Sequence, residues 1–195
     1  MVKRKTVMAR EDLANQLTLI AKRSGRTLYD LVNEVFELLI RADEMGLNLR
    51  RIVEESWILN DAKKAGFTLG PEALWYEMAE IAYKHAGDEA VKCWSEAGAW
   101  LAKRYLTGDV EKPLEAFKRS LKASAWNIPE FTFETSGSKV SIRIYSPRFP
   151  ESYTILYASF LESALKTFGY KTVEKEVSRG KIRLEALREM GNVEE

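Results

Sequence analysis

The sequence predicts two differently built parts. The first is a small N-terminal strand-helix-turn-helix module that needs a second copy to fold; the second is a helix-rich α+β domain with an antiparallel sheet. Three observations predict this. Strand-forming residues near the N-terminus give way to two helical periods separated by Gly25-Arg26-Thr27. Apolar residues recur at three and four positions through most of the chain up to about residue 125. The period then switches to two in "IPEFTFETSGSKVSIRIYS", and again in "YKTVEKEVSRGKIRLEAL" after a long apolar helix.

Residues 3 to 9 suit a short extended strand, with Thr6 and Val7 as strand formers. From Glu11 the period is helical, and Leu13, Leu17 and Ile20 line one face. Gly25 can adopt the left-handed conformation that stops this helix. Thr27 can cap the next by accepting from a backbone N–H, with Asp30 adding negative charge in the first turn. Leu28, Leu31, Val32, Val35, Phe36, Leu38 and Leu39 make a broad apolar face on that second helix, and Gly46 ends it. A unit of this size cannot close a core alone, so the module, residues 1–46, is expected to dimerise.

Charge is concentrated at the same end. Residues 1–26 hold seven basic side chains (Lys3, Arg4, Lys5, Arg10, Lys22, Arg23, Arg26) and two acidic ones (Glu11, Asp12), a balance of +5 in a chain of net charge +1. The remainder therefore carries −4. Such a basic end suits a phosphate polymer.

Residues 3–45 resemble a ribbon-helix-helix domain of the MetJ/Arc/CopG type. The resemblance rests on the basic short strand, "REDLANQLTLIAKRSGRT" as first helix and turn, and "LYDLVNEVFELL" as second helix. It implies that two chains pair their strands antiparallel and lay the ribbon in the major groove of double-stranded DNA. In the implied register Val7 and Ala9 point inward and Arg4, Thr6 and Met8 outward to the bases, while Lys3, with Arg4 and Arg26, would contribute counterion release. Arg26 and Thr27, at the start of the second helix, would meet a phosphate. Two features depart from the pattern: Lys5 stands where an apolar residue is usual, and Met8 replaces a polar reader.

A helical connector follows over residues 47–70, with Leu49, Ile52, Val53 and Trp57 on its apolar side. The second domain, 71–195, is expected to hold helices at about 71–86, 88–106 and 111–125. After them come a hairpin around Ser136-Gly137, a helix closed by Gly169, and a hairpin around Arg179-Gly180. In its element order, residues 71–186 resemble the four-vinyl-reductase/TRAPP-like ligand-sensing domains, without the cysteine cluster many members carry. That resemblance, with the many aromatics and the small residues Ala97, Gly98 and Ala99, predicts an apolar pocket between helices and sheet. Trp94, Leu101, Phe131 and Tyr157 are its expected lining, and an apolar small molecule its expected effector.

No phosphate-cradling glycine loop, nucleophile elbow, paired metal ligands or redox cysteine pair appears in the sequence. With one cysteine, Cys93, and one histidine, His85, neither a disulfide, a metal site nor any cofactor is expected. No apolar run approaches a membrane span and no signal peptide opens the chain, so a cytoplasmic protein is expected. A single glutamine among abundant Lys, Glu and Arg leans towards a thermophile. The function expected is a non-enzymatic, dimeric DNA-binding transcriptional regulator, dimeric or of higher order, whose C-terminal domain senses a ligand or fixes assembly. The alternative is an interaction or antitoxin-like protein whose N-terminal module only dimerises.

Overall fold

A computed structural model describes residues 5–64, 66–68 and 70–189, excluding the side chains of residues 54, 55, 58 and 61. The chain divides into two compact units, Met1–Ala62 and Lys63–Glu195.

The first unit is helical. α1 (Glu11–Arg23), α2 (Leu28–Glu44) and α3 (Leu49–Lys64) follow one another through tight turns. Gly25 and Gly46 take φ of 66° and 67°, the left-handed region where a side chain would be strained. At each, the next residue's N–H reaches back to close the helix: Arg26 donates to the Ala21 carbonyl at 2.9 Å and Leu47 to that of Ala42 at 2.8 Å. Thr27 caps α2, accepting from the Asp30 N–H at 3.1 Å.

The N-terminal part of the expected fold class is overturned. Residues 5–10 belong to no strand, and strands among the described residues occur only between 130 and 188. Arg10, the residue that precedes α1, is extended (φ −64°, ψ 138°), as residues at a helix N-cap usually are. Propensity alone does not make a strand, because a ladder needs a partner and this segment has none among the described residues.

The second unit is the expected helix-rich α+β domain with an antiparallel sheet. Its elements are α4 (Glu72–His85), α5 (Gly87–Thr107), α6 (Pro113–Ser124), β1 (Glu130–Ser136), β2 (Lys139–Tyr145), α7 (Glu151–Thr167), β3 (Tyr170–Ser178) and β4 (Lys181–Arg188). The four strands lie in the order β1-β2-β4-β3, every neighbouring pair antiparallel. Each hairpin turns at a left-handed glycine, Gly137 (φ 57°) and Gly180 (φ 75°).

Alternation gives the sheet one apolar face. Phe133, Val140, Ile142, Ile144, Ile182, Leu184 and Ala186 are buried there with Leu101, Phe117, Leu161 and Leu165 of the helices. α7 is the central helix, contacting β3, β4, α4 and α5. Helices α5 and α7 approach closely at Gly98, where a Cβ would stand 2.1 Å from the Phe160 carbonyl oxygen. Gly98, expected to make room between helix and sheet, instead lets two helices touch.

Candidate functional site

The residues expected to meet DNA fall into three groups. Lys3 and Arg4 lie outside the described residues. Thr6 and Met8 sit in the extended segment before α1, exposed to solvent, Met8 97% so. Arg26 and Thr27 stand together at the start of α2, and both already have partners. Arg26 Nη1 is 2.6 Å from Glu34 Oε2, and Thr27 Oγ1 donates to Asp30 Oδ2 at 2.6 Å while accepting from the Asp30 N–H. A phosphate at this helix start would have to displace Glu34 from Arg26 and tolerate the Asp30 carboxylate. Arg10 is likewise paired, with Asp12 at 2.6 Å.

Beside this basic end the helices leave their apolar faces open. In α1 and α2 only Ala21, Leu31 and Ala42 are buried, whereas Leu13, Leu19, Val35, Phe36, Leu39 and Ile40 are exposed, Leu39 by 50%. Side chains of this kind at helical spacing are ordinarily covered.

The four residues expected to line an apolar pocket are packing residues of the second unit. Leu101 is buried in the main core, and Phe131 packs against its edge. Trp94 meets Tyr153 edge-on at 5.3 Å, and Tyr157 stacks between Tyr153 and Phe160 at 5.9 and 5.8 Å. Trp94 and Tyr157 thus share one aromatic cluster, which Tyr76 and Phe149 complete around Tyr153 at 4.8 and 4.7 Å. Asn127 donates to the Tyr76 hydroxyl at 3.0 Å, and Tyr76 donates in turn to Glu72, which holds Arg148 at 2.6 Å. Burial pushes the Tyr153 hydroxyl up to about 12, against the lowering effect of a hydrogen bond to Asn127. Burial also raises Tyr157, and Tyr153 beside it adds to the shift.

A cavity of about 460 Å³ lies elsewhere, on the sheet face turned away from the helices. Its outward-pointing lining comes from three adjacent strands: Glu130 and Thr132 of β1, Arg143 and Tyr145 of β2, Lys181 and Arg183 of β4. The register sets Glu130, Tyr145 and Lys181 in one row and Thr132, Arg143 and Arg183 in the next. Two arginines thereby stand directly opposite each other. Arg183 is countered by Glu185 at 3.1 Å and Glu174 at 3.7 Å, and these partners hold its guanidinium above its ordinary value. Its Nε is buried without a hydrogen-bond partner. Lys181 is countered by Glu176 at 2.7 Å, and Lys139 by Glu185 at 2.6 Å. The hydrogen bond from Lys139, then that from Arg183, keeps Glu185 below the usual carboxylate range. Among the described residues, Arg143 has no such partner.

Sequence reasoning missed this face. Alternation within "KVSIRIYS" and "GKIRLEAL" does place Arg143 and Arg183 away from the apolar side. Nothing in the sequence says that β2 and β4, which belong to different hairpins, lie side by side.

No family model matches the chain, and no curated protein matches it in sequence. Among the described residues no helix is long and apolar enough to cross a membrane.

Proposed function

We propose that the protein is a dimeric DNA-binding regulator, in which a second copy covers the open faces of α1 and α2 and the basic end of the chain contacts duplex DNA. The observation that carries this reading is the coincidence of two features in one short unit. Its apolar helix faces are exposed, and residues 1–26 carry a balance of +5. A homodimer buries the faces, since two helices with three buried residues between them make no core. It also sets two basic ends on one particle, doubling the phosphates met. The C-terminal α+β unit then serves as the sensing or assembly part. Groove reading by a paired ribbon is not part of this proposal.

The test is binding of labelled duplex DNA at several salt concentrations. Each phosphate neutralised contributes about −0.9 to the slope of log K against log salt, so a steep slope is expected. Replacing Lys3, Arg4 and Lys5 together by alanine, six side chains in the dimer, should flatten that slope by up to about 5. An absent or salt-insensitive interaction overturns the reading.

A second reading is favoured by one observation, the prior engagement of Arg26 by Glu34 and of Thr27 by Asp30. If these pairs persist in the dimer, the first unit serves assembly alone and the protein acts through a protein partner. Dimerisation without DNA binding is its signature.

A further inference from the structure

The face of the sheet away from the helices is a lattice of charge in which positive side chains are matched by carboxylates of the same face. Lys139 is matched by Glu185, Lys181 by Glu176, and Arg183 by Glu174 and Glu185, all between 2.6 and 3.7 Å. Arg143, like Lys171 at the far edge on β3, has no such match among the described residues. It stands on a central strand, flanked by the neutral Thr132 on one side and by Arg183 on the other. Like charges directly across a ladder destabilise it. The arrangement puts a guanidinium that makes no ion pair, with Glu130 and Glu134 only diagonally across the ladder, into the lining of an open pocket of about 460 Å³, within the range that small ligands occupy.

We infer that this cavity is a binding site for a small molecule bearing an oxyanion, a carboxylate or a phosphate, with Arg143 as its anchor. A guanidinium presents paired N–H donors that match two oxygens of either group, and a bound anion turns the Arg143–Arg183 repulsion into shared attraction. Thr132, opposite Arg143, supplies a hydroxyl within the same lining, and the half-exposed Tyr145 ring supplies a flat wall in the next row. Of the charged lining side chains Arg143, Lys181, Arg183 and Glu130, Lys181 and Arg183 are already matched by Glu176, Glu174 and Glu185, so the attraction for an anion comes chiefly from Arg143. Glu130 sets a limit on the ligand: a second negative group on that side is repelled, so a singly anionic head with a neutral remainder fits best. The site is on a different unit from the basic N-terminal end, and its existence does not depend on DNA binding.

The experiment is a titration of the full-length protein with inorganic phosphate and, separately, with acetate at constant ionic strength, followed by residue-resolved amide NMR. Saturable shifts at Thr132, Arg143, Tyr145 and Arg183 are expected with at least one probe, and the stronger of the two identifies the head group. Arg143→Gln should weaken that binding at least tenfold while leaving the remaining spectrum in place, since Arg143 takes part in no ion pair among the described residues; Arg143→Lys should retain part of the affinity. Phosphate shifts confined to the N-terminal unit, no saturable shift at the four amides, or equal affinity in Arg143→Gln would each overturn the assignment. The same shifts produced by duplex DNA but by neither small probe would also overturn it, replacing the small molecule with a nucleic-acid backbone.

Discussion

Gly98 of α5 rests on the backbone of Phe160 in α7, so closely that a Cβ at position 98 would lie 2.1 Å from the Phe160 carbonyl oxygen and 2.8 Å from its carbon. Backbone cannot swing aside as the end of a side chain can. Gly98→Ala therefore has to push the two helices apart and open the core beneath them. A loss of about 3 kcal/mol, at the upper end of overpacking effects, is expected in urea unfolding. Unchanged stability would mean that α5 and α7 are not in this contact.

Thr154 makes the second test. Its side chain is fully buried, and its hydroxyl accepts from the Gly180 N–H at 3.0 Å, tying α7 to the turn of the β3-β4 hairpin. Thr154→Val keeps the shape and strands that N–H without a partner. The expected cost is about 1–3 kcal/mol. Gly180→Ala should cost at least as much, because φ is +75° there and a Cβ would meet the Ser146 carbonyl oxygen at 2.6 Å.

Alkaline pH should probe the aromatic cluster. Folded Tyr153 keeps its proton to about 12, whereas an unfolded tyrosine releases it near 10. Below pH 10 both states hold the proton, so this group leaves stability independent of pH. Between about 10 and 12 the unfolded chain binds fewer protons, and stability falls as pH rises. Tyr157 is shifted in the same direction. Titration of tyrosinate absorbance should show a class of slow or resistant rings, and Tyr153→Phe should shrink both that class and the alkaline loss.

The open faces of the first unit give the last test. Leu39→Asp places a carboxylate on the exposed apolar side of α2. In sedimentation, the wild-type chain should be dimeric at micromolar concentration and the variant monomeric, with DNA binding lost alongside. A variant that still dimerises would place the subunit contact elsewhere.

Much of the second unit is legible in its sequence because its local preferences agree with its packing. Phe131, Phe133, Val140, Ile142 and Ile144 alternate as a half-buried hairpin must, and the glycines at 137, 169 and 180 stand where the chain turns with positive φ. The second hairpin is less plain. Val173 is skipped in the pairing between Thr172 and Glu174 and is 56% exposed. The skipped residue reverses the alternation that follows it. Lys175 is thus brought to the helix side, where it pairs with Glu162 of α7 at 2.6 Å.

By itself the sequence determined the helices, their stops and caps, and the two hairpins, since each follows from neighbours a few residues apart. Whether residues 5–10 become a strand was beyond it, because a ladder depends on a partner and not on the propensity of Thr6 and Val7. Only the tertiary structure decided that β2 lies beside β4. That neighbourhood sets Arg143 opposite Arg183 across forty residues of chain, and it comes from α7 crossing the sheet between the hairpins. It likewise decided that Gly98 serves a helix-helix contact, since a glycine in the sequence says that something comes close without saying what.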